Sequence, residues 1–201
     1  MIIASWQSVL TFALLLFLLL PLGRLPQGYR LSVLFALLLV ALVPLSTGLT
    51  LAGLLRGLTD DLATTTLIWL VIAVSIRLGY VQSMSATEKW PLWLGFGLLG
   101  LVLYPAAMGV GMFDTYRWGY HPRLLVMVVG ILTLAFLLAR AYVGILMLAL
   151  ASLAYLLDLK PSNNYWDYLL DPFLVIYCLG ALVLQTVRIL RRRARPMQPA
   201  V

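Results

Sequence analysis

Seven apolar runs follow one another along the chain with only short polar connections between them. They lie approximately at Ile3 to Leu20, Leu31 to Leu45, Leu62 to Leu78, Leu92 to Met108, Leu124 to Ala139, Ala141 to Leu157 and Phe173 to Leu190. A helix that crosses a bilayer uses roughly 20 apolar residues, so seven of them would take about 140 positions. In a chain of 201 residues that leaves connections and no room for a soluble domain. Composition points the same way, with 63% hydrophobic residues, 10% charged residues and a mean hydropathy of +1.02. The expected fold is all-α: a polytopic integral membrane protein, a bundle of about seven transmembrane helices forming one domain over residues 1–190, with a basic cytoplasmic tail at 191–201.

Several runs are short for a span. The second is expected to continue past Pro44 toward Leu55, kinked where the proline removes a backbone hydrogen bond. The stretch from Leu124 to Leu157 is broken only by Arg140, without glycine or proline beside it. One continuous helix there would be about 51 Å long at 1.5 Å per residue and would hold Arg140 near the middle of a core roughly 30 Å thick. A hairpin turning at Arg140 is therefore expected. Pro91, Pro122 and Pro172 each stand where a span should start, and Asp171 is placed to cap the last one.

Charge then orients the spans. If they alternate and Arg188, Arg191, Arg192, Arg193 and Arg195 are cytoplasmic, the inner segments hold ten of the fourteen basic residues and, of the acidic ones, Glu88 alone. The outer segments hold Arg56, Arg117, Arg123 and Lys160 with six aspartates. The basic bias sets the N-terminus outside and the C-terminus inside. The first run has no basic stretch before it and no small-residue cleavage site after it, so it reads as a retained span. The net charge of +7 accordingly marks attraction to anionic lipid at the C-terminal arginines and not nucleic-acid binding. The expected setting is a bacterial cytoplasmic (inner) membrane.

One cysteine, Cys178, and one histidine, His121, exclude an internal disulfide, a thiolate cluster and a bis-histidine haem; no cofactor is implied. Candidate chemistry concentrates in three outer stretches. Asp60 and Asp61 offer paired carboxylates for a divalent cation, against a plainer use at the start of the third span, where acids suit the positive helix end. Asp167 and Asp171 are four apart, so one helical turn would place both on one face as an acid/base or metal pair. From Asp114 to Arg123 the chain sets one acid, two arginines, the histidine and three aromatics in ten residues. Arg117 and Arg123 suit a phosphate or carboxylate and His121 a proton carrier; the alternative is an interfacial loop with paired charges and its aromatics at headgroup level.

Signature motifs for metalloproteases, serine hydrolases and phosphate loops are absent, and no ionisable residue is expected at a span centre, which disfavours a pump or coupled carrier. The expected function is thus a non-catalytic membrane subunit or scaffold. It would present Asp114, Arg117, Trp118, Tyr120, Arg123 and Trp166 to other membrane or envelope proteins. The alternatives are an outer-leaflet enzyme acting on a lipid-linked phosphate, with His121, Asp167 and Asp171 catalytic and Asp60 and Asp61 on a metal, and a small lipid or small-molecule carrier.

Overall fold

The computed structural model describes residues 6–110 and 114–193; the far end of the basic tail, Arg195 included, lies outside them. The chain is all-α, 76% helical and without a strand among the described residues. The helices are α1 (Trp6–Leu19), α2 (Gln27–Ala41), α3 (Leu51–Thr59), α4 (Thr64–Leu78), α5 (Ala86–Ala107), α6 (Arg123–Leu138), α7 (Tyr142–Leu156), α8 (Trp166–Leu169) and α9 (Pro172–Arg193). Each of the seven apolar runs overlaps one of the longer helices. Among the described residues two, α5 and α9, are long and apolar enough to cross a membrane by length and composition. The other five have 14 to 16 residues, or about 21 to 24 Å of helix.

Helix ends follow from local chemistry. At Gly79 (φ 85°) the amide donates to Ile76 O and the next amide, Tyr80 N, to Ser75 O. This pair of reversed bonds satisfies the last carbonyls of α4. The same pattern closes α5 at Gly109, and, at non-glycine residues in left-handed backbone, α6 at Arg140 (φ 56°) and α7 at Asp158 (φ 48°). The break at Arg140 is therefore a helix stop, and the chain doubles back behind it. A Cβ built on Gly144 would lie 2.5 Å from the Phe136 ring, whereas residues eight apart on one helix are about 12 Å apart.

Two expected boundaries are corrected. The second run does not continue through Pro44 as a kinked helix. Helix α2 stops at Ala41, Pro44 pairs with Thr50 in an isolated antiparallel bridge, and Gly48 turns the chain at φ 77°. Proline lacks an amide and disfavours helical backbone in the residue before it, and Thr50 Oγ1 then starts α3 afresh by accepting from Gly53 N at 3.0 Å. Nor does Pro91 open its helix. Ser85 and Glu88 form a reciprocal cap that starts α5 at Ala86, leaving Pro91 inside. Pro122 and Pro172 do stand at the starts of α6 and α9.

The chain divides into two compact units, Met1–Met84 with Leu146–Asp171, and Ser85–Ile145 with Pro172–Val201. In the first, α1 packs on α2, α3 and α4 around Leu14, Phe17, Leu67, Leu70 and Val74. Arg77, in the last turn of α4, donates to the carbonyls of Phe17, Leu18 and Leu20, and Arg30 donates to Arg77 O, Gly23 O and Leu25 O. Two guanidinium groups thus cover the exposed carbonyl ends of α1 and α4, where cations also meet the negative ends of the helix dipoles. In the second unit α5 lies against α9. A Cβ on Gly100 would fall 2.3 Å from Val175, and one on Gly97 3.1 Å from Leu179, so the two helices run antiparallel at close approach. Gly95 gives the same closeness to Leu132 and Phe136 of α6.

Candidate functional site

In the first unit, two of the three charged stretches, those around Asp60 and Asp61 and around Asp158 to Asp171, form one knot. After Asp158 ends α7, the chain turns back through Lys160, whose side chain is 8% exposed. Its ammonium donates to the main-chain carbonyls of Asp61 (2.8 Å), Leu62 (3.2 Å) and Asp167 (2.8 Å). A buried charge is tolerated only where such partners replace water. Burial holds the amine below its ordinary lysine value, partly offset by the carboxylates of Asp167, Asp61, Asp60 and Asp171. Beneath it the Tyr168 ring centroid lies 5.8 Å away, and the Tyr168 hydroxyl donates to Lys160 O at 3.0 Å.

The aspartates serve the same knot. Asp61 pairs with Arg56 at 2.8 Å. Asp60, in left-handed backbone at φ 57°, accepts from Asp61 N. Asp171 Oδ2 accepts from Ala63 N at 2.9 Å, just ahead of α4, and Thr65 Oγ1 donates to Leu169 O at 2.7 Å. Asp167 accepts from Ser162 Oγ, which itself accepts from Asn164 N, and Asn164 Oδ1 accepts from Trp166 N. Asp167 and Asp171 do not share a helical face: α8 ends at Leu169, and Leu170 is extended (φ −144°, ψ 141°). Among the described residues no group of three or more His, Cys, Asp or Glu side chains gathers where a metal ion would sit. Trp166 is 1% exposed, inside the unit.

The third stretch belongs to the second unit. Asp114 Oδ1 accepts from Tyr116 N and Arg117 N, capping a short 3₁₀ turn over Thr115–Gly119. Thr115 Oγ1 donates to Val102 O at 3.3 Å, tying that turn to α5. The Tyr116 and Tyr120 rings meet edge to face at 5.9 Å. Arg117, Tyr120, His121 and Arg123 are exposed and Trp118 is half-buried, and none of the two arginines and the histidine forms an ion pair among the described residues.

Sequence reasoning placed Lys160 with the outer charges without seeing that it organises them. A lysine on a long flexible stem followed at once by Pro161, within a run of aspartates, is the available signal, and it does not say which carbonyls the ammonium will reach. The sequence matches no known family model, no curated protein and no solved structure.

Proposed function

We propose that the chain is a multi-pass protein of the bacterial cytoplasmic membrane, crossed by all seven longer helices. In this reading it acts as a non-catalytic subunit or scaffold that offers the rim around Asp114 to Arg123 to membrane or envelope partners. The observation that carries the non-catalytic reading is the knot. Lys160, Asp61, Asp167 and Asp171 bind backbone, Arg56 or Ser162, so these polar groups hold two segments together and do not converge on an open position for substrate.

The membrane part is supported by what the helix flanks expose. Phe35, Ile131, Leu138 and Ile176 are 63% to 78% exposed, and such residues recur along α2, α6 and α9. Apolar surface on that scale is costly in water and favourable in lipid. Helices of 14 to 16 residues are accommodated by local thinning of the bilayer and by side chains reaching to the interface. Alternation is supported within the first unit, where Arg77 and Arg30 bring the C-terminal ends of α1 and α4 to the start of α2. An outer-leaflet enzyme would draw on Arg117, His121 and Arg123, since Asp61, Asp167 and Asp171 of the first unit hold Arg56, Ser162 and Ala63 N.

Purification in gentle detergent or nanodiscs, with mass spectrometry of everything retained, tests the role. Stoichiometric membrane or envelope proteins are expected. A solitary chain that turns over a polyprenyl phosphate, and loses turnover as H121A while remaining folded, would replace the scaffold with the enzyme.

A further inference from the structure

Four basic residues fall in the outer stretches, and the structure separates them into two kinds. Arg56 is paired with Asp61 and Lys160 is surrounded by carbonyls. Arg117 and Arg123 are exposed and have no carboxylate partner among the described residues. The one acid beside them, Asp114, turns its Oδ1 to the amides of Tyr116 and Arg117. The segment that carries them is held in place, by Thr115 on the Val102 carbonyl at one end and by the first bond of α6, Val126 N to Pro122 O, at the other.

Directly below Arg123, α6 presents Leu124, Met127, Ile131, Leu134 and Leu138, all at least half exposed. Their spacing of three, four, three and four places them on one face. The stripe begins next to Arg123, and the 3₁₀ turn that carries Arg117 packs against the same helix; a basic end that has no carboxylate partner among the described residues, followed by an apolar face, complements an acyl chain ending in an anionic head. A guanidinium offers a phosphate two parallel donors, and the exposed Tyr120, three residues before Arg123, suits the headgroup boundary.

We propose that Arg117 and Arg123 seat the phosphate of an anionic phospholipid whose acyl chain lies along the exposed face of α6. This rests on the membrane reading above and adds a chemically selective lipid position to it.

The test uses the full chain in phosphatidylcholine nanodiscs containing spin-labelled phosphatidylglycerol or spin-labelled phosphatidylcholine. It is made in a background where Arg188, Arg191, Arg192, Arg193 and Arg195 are replaced by glutamine, so that the C-terminal cluster does not contribute. The motionally restricted fraction should favour phosphatidylglycerol. R117Q/R123Q should lower its relative association about thirty-fold, taking the usual contribution of each basic residue near an anionic lipid surface. R117K/R123K, which keeps the charge and loses the paired donors, should retain part of the preference. Equal association of the two lipids, or a preference that survives R117Q/R123Q, would overturn the lipid position and leave the membrane reading intact. A second copy of the chain covering this face, seen as a doubled nanodisc-borne mass that falls with R117Q/R123Q, would overturn it too. Failure of the chain to enter nanodiscs would overturn both readings.

Discussion

A buried ammonium is worth as much as the partners it would leave behind. Replacing Lys160 by methionine keeps the volume and removes the donor, leaving the carbonyls of Asp61, Leu62 and Asp167 without the hydrogen bonds they now accept. Buried acceptors stripped of a charged donor cost about 1 to 3 kcal/mol each, less where a neighbour substitutes. K160M should therefore lose about 3 kcal/mol, read as a lowered unfolding midpoint in mild detergent; an unchanged midpoint would show that the knot contributes no stability. The same residues give the fold a signature in alkali. Burial raises the Tyr165 and Tyr168 phenols above their ordinary value of 10.0, so the unfolded chain releases those protons first and stability falls as pH rises above 10. Lys160 works in the opposite sense: its folded value lies below 10.5, so the unfolded chain holds the extra proton and stability rises with pH up to that value. A pH titration of stability should show the loss above pH 10 flattened in Y165F/Y168F, and K160M should lack the preceding rise. An alkaline limb of the same slope in Y165F/Y168F would assign the loss to other groups.

At the scale of helices, contact across α5 and α9 depends on a missing side chain. Alanine at position 100 would put its methyl 2.3 to 2.9 Å from Val175, closer than packed atoms approach, and overpacking of this kind costs about 1 to 3 kcal/mol. G100A should destabilise by that amount, and adding V175A should return part of it. A coupling near zero in the double-mutant cycle would mean that the two positions do not touch. The seven longer helices were readable in the sequence, because apolar run lengths are local properties. The stop at Arg140 was readable from length alone, although nothing in Ala139, Arg140 or Ala141 favours left-handed backbone. Two boundaries were misread where a proline competed with a neighbour. Before Pro91 the spacing of Ser85 and Glu88 already held a capping box, a local signal that starts the helix about one and a half turns ahead of the proline. After Ala41, only the turn built around Gly48 decides whether Pro44 bends one helix or separates two. The paired use of Asp167 and Asp171 failed for a longer-range reason. Leu170 is drawn out of helical backbone between Leu169, whose carbonyl accepts from Thr65, and Asp171, whose carboxylate accepts from Ala63 N, partners that are 104 and 108 positions away in the sequence.

For the molecule as a whole, basic side chains and helix polarity make the same demand. Arg77 and Arg30 lie in segments that the charge bias assigns to the inner side, and both bind the carbonyl ends of α1 and α4. In the proposed topology the C-terminal ends of those two helices are inside and their starts outside, the arrangement that the charge bias expects. The helix that decides whether the alternation extends through the chain is α6, because it has 16 residues and its two ends carry the most separable expectations. Cys178 is buried and is the sole cysteine, so a C178S background gives a clean host for introduced thiols. Position 115 is buried and a poor reporter, whereas Arg117 and Arg140 are exposed. In intact cells a membrane-impermeant maleimide should label R117C and should reach R140C only after permeabilisation. The reverse pattern would invert the orientation and place the basic excess outside, against the rule that sets topology. Labelling of both from outside would mean that α6 does not cross, and the count of seven spans would fall with it.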